Sequence, residues 1–271
     1  MTKSTLRVQN ADLYYETRGT GPLLLISESG EGDAGRSIDL VTHLADDHTV
    51  ITYDRRGLSR STIDASSAGV TVRQHADDVH RLLAHLTDEP VLMLGQSLGA
   101  SIGLHLAAHH PEQLSLLIAH EPVSPWLLPK PDQAEHRTEL AEVRDLYLEA
   151  GLPPALKEIA RSLGITGGET EPDLTPQPMT AQRQTNFDFF IRYDFLAVID
   201  DDLDLSSCRT RIIPATGLTT PRTVFDHRCA VELAKLLGTD LAEFPGGHNG
   251  NTSHPHAYAT RLRDLLRTAI A

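Results

Sequence analysis

A serine set between two glycines, Gly95-Gln96-Ser97-Leu98-Gly99, most constrains what this chain can fold into. The apolar run Val91-Leu92-Met93-Leu94 precedes it, and the small-residue, helix-compatible run Ala100 to Ala108 follows. A buried strand, a G-x-S-x-G turn and a helix hold a serine on a strained corner with its hydroxyl exposed, which makes a nucleophile elbow. The glycines let the chain turn sharply. The pentapeptide alone arises by chance in roughly one chain in ten, so the flanking strand and helix carry the reading.

The rest of the chain alternates in the same way. Leu6–Gln9 and Leu13–Thr17 flank Asn10-Ala11-Asp12 and read as a hairpin. Leu23–Ile26, Thr49–Tyr53 and Leu114–Ala119 are unalternating apolar runs, as in strands buried on both faces. Ser37–Leu44 and Val72–Leu86 read as helices, the second with apolar residues at the 3.6 period. Strands separated by helices predict a mostly parallel, doubly wound sheet. Between Val123 and Ser207 no buried strand appears. Prolines, helical stretches and a crowd of aromatics (Phe187, Phe189, Phe190, Tyr193, Phe195) replace it. This predicts a helical cap over 123–207, inserted into a core of 1–122 and 208–271. The sheet resumes at Arg211–Ala215 and ends at Asp240–Phe244, before a closing helix from Pro255 to Ala269.

Composition excludes some functions. A net charge of −13 argues against nucleic acid and anionic membrane partners. The N-terminus has no apolar signal region, and no run approaches membrane-spanning length, so a cytoplasmic location is expected. Cys208 and Cys229 could pair, but two cysteines imply no disulfide framework. Fourteen histidines include no HExxH or Cys/His cluster, so neither a metal nor another cofactor is expected. His75, His80 and His85 are five apart and rotate around their helix. His109-His110 ends a helix. A homodimer stays open as an assembly.

A serine hydroxyl needs a base. The loop after the last strand, Phe244-Pro245-Gly246-Gly247-His248, supplies His248, with His254 and His256 as competitors nearer the closing helix. The turn after Arg211–Ala215 has no carboxylate. That leaves Glu121, at the end of the strand after the elbow helix, and Asp226, in the following helix, to orient the imidazole. Glu121 is favoured because a strand end holds a side chain rigidly. The alternative for Asp226 is a first-turn acid complementing the helix dipole. The oxyanion hole is expected from the amide of Leu98 and one from the loop Ser27-Glu28-Ser29-Gly30-Glu31-Gly32, taken at Ser29, with Glu28 and Glu31 pointing elsewhere. Phe190, Phe189 and Trp126 are the candidate substrate contacts.

Over its whole length, including Tyr53-Asp54-Arg55-Arg56-Gly57-Leu58-Ser59-Arg60-Ser61, the chain resembles an α/β-hydrolase. Within that superfamily it is similar to the zearalenone lactone hydrolases. The shared features are His120-Glu121-Pro122, Gly217-Leu218-Thr219-Thr220-Pro221, and Pro245-Gly246-Gly247-His248 with Ser253-His254-Pro255. The resemblance implies that Glu121 is the acid. It also puts Phe190, in Asn186-Phe187-Asp188-Phe189-Phe190, where that family has a substrate-stacking tryptophan, and Glu28-Ser29 where it has Asp-Gly. The expected function is a serine hydrolase cleaving an ester or lactone of a mid-sized, largely apolar molecule through an acyl-enzyme. A thioesterase, a carbon–carbon bond hydrolase or a cofactor-free perhydrolase would share the residues. A non-catalytic small-molecule receptor is the alternative from another class. A serine at the elbow argues against epoxide hydrolase and dehalogenase chemistry, which needs a carboxylate there.

Overall fold

The computed structural model of the protein describes residues 1–64 and 69–270. Its first strands, β1 (Thr2–Val8) and β2 (Ala11–Arg18), pair antiparallel around a turn in which Asn10 adopts φ 61°. After β3 (Leu23–Ser27) come α1 (Ile38–Leu44), β4 (Thr49–Tyr53), α2 (Val72–Leu86), β5 (Val91–Gln96), α3 (Leu98–His109) and β6 (Leu114–His120). The segment after β6 contains α4 (Lys130–Ala150), α5 (Leu152–Ser162), α6 (Ala181–Phe189), a π-helical turn (Phe190–Asp194) and α7 (Phe195–Ile199). Then follow β7 (Ile212–Gly217), α8 (Phe225–Leu237), β8 (Ala242–Phe244), α9 (Gly250–Ser253) and α10 (Pro255–Ile270). The strands form one sheet in the order β1-β2-β4-β3-β5-β6-β7-β8. The β1–β2 and β2–β4 pairs are antiparallel and every other pair is parallel.

The unalternating runs are explained by which face each residue covers. Leu25, Ile51, Met93 and Leu117 share a core with Val79 and Leu82 of α2 and Ile102 and Leu106 of α3. Their neighbours Leu24, Ile26, Val50, Leu92, Leu94 and Ile118 pack on the other face with Leu40 and Leu44 of α1 and Leu262 of α10. A sheet covered by helices on both faces needs apolar residues at every position of its central strands. α2 also has a proper start, with Thr71 Oγ1 accepting from the Gln74 amide at 3.0 Å.

Three expectations need adjustment. The last strand begins at Ala242 rather than Asp240 and the first reaches back to Thr2, because pairing partners set strand ends and apolarity does not. The cysteines do not pair. Cys208 Sγ donates to the Ala107 carbonyl and buried Cys229 Sγ to the Ser124 carbonyl. The histidines of α2 do point different ways, with His75 buried and His85 exposed. However, His80 meets His110 and Glu112, bringing three ligand atoms within 4.8 Å of one another. The two imidazoles stack at 3.7 Å and 12°, which keeps their lone pairs in parallel planes instead of converging on one ion. Among the described residues no helix is long and apolar enough to cross a membrane.

Candidate active site

β5 delivers its chain to the carboxyl edge of the sheet, and Ser97 turns it into α3. Ser97 has φ 52° and ψ −115°, a conformation unusual for any residue but glycine. The flanking glycines are required by contact. A Cβ on Gly99 would lie 2.0 Å from the Ser27 carbonyl oxygen, and one on Gly95 would lie 2.6 Å from Ala100 Cα. The same tight contact brings the loop after β3 beside the start of α3. Ser97 is 8% exposed and opens on a cavity of about 250 Å³, with Ser29 and His248 also in its wall.

His248 sits on the loop between β8 and α9. That loop can pass close to β7 because a Cβ on Gly217 would strike Gly247 at 2.5 Å. His248 Nδ1 is 2.7 Å from Glu121 Oε2, and both side chains are buried. Glu121 follows β6 directly and adopts φ 45°. Its other oxygen, Oε1, accepts from the Gly217 amide at 2.9 Å and from Thr216 Oγ1 at 2.6 Å. The turn after β7 thus contributes two donors that hold a carboxylate arriving from the neighbouring strand. Asp226, by contrast, lies on the Nε2 side of His248, with Oδ2 at 3.9 Å.

These surroundings set the charges. Burial alone would raise the Glu121 pKa, but the hydrogen bond and charge of His248, the neighbouring His120 and the Thr216 hydroxyl outweigh it and hold it well below the usual carboxylate range. Burial alone would lower His248, but Glu121 and then Asp226 raise it. His120 lies next to the pair without a hydrogen bond to its ring and is pushed down to about 4 by burial, so it stays neutral.

The loop after β3 is fixed by buried Arg55, whose guanidinium donates to the carbonyls of Glu28 (3.1 Å), Ser29 (2.6 Å) and Gly30 (2.7 Å). The Leu98 amide starts α3, where first-turn amides have no intrahelical partner. Glu28 is buried, is absent from the cavity wall, and is raised to about 7 by desolvation. Glu31 departs from the expectation, because it does line the cavity. Its charge is offset by Arg36 at 3.0 Å and by Arg183, whose Nη2 donates to Oε2 at 2.8 Å.

Of the aromatic candidates, Phe190 lines the cavity. It lies over Gly30, where a Cβ would be 2.6 Å from its ring, and meets Phe195 edge-on at 4.8 Å. Phe189 and Trp126 are not in that wall, which corrects their reading as substrate contacts. One residue along a helix turns a side chain by about 100°, and Phe189 instead packs on Gly57 and Tyr193. Trp126 Nε1 donates to Asp201 at 3.0 Å, tying it to the His105–Asp201 contact. His254 contacts Ser253 Oγ through Nδ1 at 2.9 Å and is not in the wall. The sequence reading missed His136, Glu139 and Phe225, which do line the cavity. The buried face of α4, with His136, Leu140 and Val143 at helical spacing, was the available signal.

Comparison with known proteins agrees with this architecture. The family model described as the alpha/beta hydrolase fold matches residues 22–160. The uncharacterized hydrolase YraK of Bacillus subtilis (strain 168) is 35% identical over 273 residues, covering 98% of this chain and 96% of that protein. Among solved structures, the enol-lactonase from Burkholderia xenovorans LB400 superposes with a TM-score of 0.68 at 19% identity, over 97% of this chain and 100% of that one. The bromoperoxidase from Bacillus anthracis does so with a TM-score of 0.74 at 19% identity, over 98% and 100%. At such identities the structural likeness speaks for the fold alone.

Proposed function

The chain belongs to the α/β-hydrolase family, and from that premise we propose that it is a serine hydrolase cleaving a carboxylic ester or lactone of a mid-sized, largely apolar substrate. The observation that carries the reading is the 2.7 Å contact between His248 Nδ1 and Glu121 Oε2 beside the cavity that Ser97 opens on. In this mechanism Ser97 Oγ attacks the carbonyl carbon while His248 Nε2 takes its proton. The tetrahedral oxyanion is met by the Leu98 amide and an amide of the Ser29 loop. Collapse breaks the ester bond, and His248 returns the proton to the leaving alkoxide. Water activated by the same nitrogen then hydrolyses the acyl-enzyme. Glu121 holds the Nδ1–H tautomer and stabilises the imidazolium. Glu28 is neutral below pH 7 and Glu31 is ion-paired, so the acidic residues of the oxyanion loop oppose the developing charge less than their number suggests.

The lactone branch of the proposal is supported by the residues shared with the zearalenone lactone hydrolases, His120-Glu121-Pro122 and the carboxylate-free turn at Gly217–Pro221. The helices between β6 and β7 supply Phe190, Phe195 and Phe187 to the cavity, which suits an apolar acyl or aryl group. The test is labelling with a fluorophosphonate probe together with turnover of an aryl ester. Wild-type protein should label and turn over. Ser97→Ala should lose labelling and several orders of magnitude in rate while keeping its circular dichroism spectrum. Near-native turnover by Ser97→Ala would dismiss the proposal, and a stable, unlabelled wild type would favour a receptor instead.

A further inference from the structure

One side of this mostly apolar cavity carries three ionisable side chains that the mechanism above does not use. His136 of α4 and Asp226 of α8 are each 2% exposed. His136 Nε2 lies 3.5 Å from Asp226 Oδ1, and its Nδ1 lies 3.5 Å from Glu139 Oε2. Both separations are too long for good hydrogen bonds, and neither ring nitrogen has a hydrogen-bond partner. Phe225 stacks on the ring at 4.7 Å and closes its flank. Among the described residues no hydrogen bond reaches the Asp226 carboxylate, whose contacts are His136 and, at 3.9 Å, His248 Nε2. Buried polar groups are ordinarily satisfied, and a group left open on a cavity wall calls for a ligand or water. A first-turn acid complementing the helix dipole does not need to face a cavity.

Burial alone would lower the His136 pKa, but Asp226 and Glu139 outweigh it and raise it above its ordinary value. The open acceptors of this cluster belong to Asp226. Glu31, Arg36 and Arg183, which also line the cavity, are paired with one another.

We propose that Asp226, backed by His136 and Glu139, forms a leaving-group subsite for an alcohol that carries a second hydrogen-bond donor, a hydroxyl or an amine, a few atoms from the ester oxygen. The position follows from the serine-hydrolase reading above, on which it rests: His248 Nε2 hands its proton to the departing oxygen, and Asp226 lies next to that nitrogen. An anionic leaving group is disfavoured because it would meet the carboxylates of Asp226 and Glu139. Sites built to bond a substrate hydroxyl discriminate strongly against the analogue that lacks it.

The experiment uses the Ser97→Ala protein, which binds without acylating. Titration calorimetry compares 2-hydroxyethyl 4-phenylbutanoate with propyl 4-phenylbutanoate. The hydroxyl ester should bind about tenfold more tightly, and adding Asp226→Ala should bring the two Kd values together. The 2-(dimethylamino)ethyl ester separates the two donor types, and tighter binding than the hydroxyl ester assigns an ammonium. Equal affinities for all three esters in Ser97→Ala overturn the subsite, as does a preference that survives Asp226→Ala. The comparison in Ser97→Ala needs no change at Asp226, so it decides even where the second variant fails to fold. Absence of turnover by wild type with the calorimetric preference intact would sink the hydrolase reading and leave Asp226 as a donor-binding site without a leaving-group role.

Discussion

Glu121 has φ 45° and stays there because both its carboxylate oxygens are committed: Oε2 to His248, Oε1 to Thr216 and the Gly217 amide. A non-glycine residue at positive φ costs roughly 1–3 kcal/mol and persists only where surrounding contacts over-determine it. Replacing this carboxylate by an amide presents an N–H either to His248 or to the Gly217 amide. Glu121→Gln should therefore cost about 10³–10⁴-fold in kcat at neutral pH by disturbing the imidazole tautomer, with the spectrum of the fold preserved. A loss below tenfold would remove Glu121 from the proposed triad. Phe190 is tested by selectivity. Its ring lies over Gly30 in the cavity wall, so Phe190→Ala should raise KM for bulky aryl esters by about tenfold, the equivalent of roughly 1.4 kcal/mol, and leave a short acetate ester nearly unaffected. An equal loss on both substrates would place the ring in the structural core.

One contact that ties the inserted helices to the core is ionic and buried. Asp194, the last residue of the π-helical turn, accepts from Arg55 Nη2 at 3.0 Å and pairs with His75 Nε2 at 2.9 Å, and all three side chains are at most 1% exposed. The same guanidinium holds the three carbonyls of the loop after β3. One arginine thus couples the position of the insertion to that of the candidate oxyanion loop. Removing one partner of a buried pair strands the others, at a cost of about 3–5 kcal/mol. Asp194→Ala should lower the melting temperature by about 10 °C, and kcat should fall with it as the loop loses its anchor. An unchanged melting temperature would mean that the apolar contacts of Ile191 and Phe195 hold the insertion unaided.

Across the whole molecule, titration links activity to stability in opposite directions. The proposed base works only when neutral, and Glu121 raises His248 above its ordinary 6.5. The rate should therefore fall as the pH drops towards 6.5 and below. Glu28 acts on stability. Desolvation raises it from 4.5 to about 7, so the folded protein holds this proton more tightly than the unfolded chain. Its contribution is full below pH 4.5 and is lost as the pH rises to about 7, a loss of about 3 kcal/mol by pH 8. Glu28→Gln should abolish that decline, with a melting temperature gain at pH 8 that is absent at pH 4.5. Parallel pH curves for the two proteins would show that Glu28 is ionised in the fold.

The sheet and the elbow turn were legible because they depend on short-range chemistry. Apolar runs such as Leu23–Ile26 and Thr49–Tyr53 announce strands buried on both faces, and Gly95 and Gly99 announce a turn that no side chain fits. The absence of a carboxylate after Ala215 narrowed the acid to two residues. Which of the two meets Nδ1 depends on β6 and β7 lying side by side, so that Thr216 and Gly217 reach a glutamate 95 residues upstream. Phe189 and Phe190 are adjacent and chemically identical, and only packing decides that one faces the cavity and the other Gly57. Asp226 read either as the acid orienting His248 or as a first-turn acid complementing the helix dipole, because helix position is local information. Its place opposite His248, with His136 brought in from the inserted helices, exists only once segments 90 residues apart have folded onto one edge of the sheet.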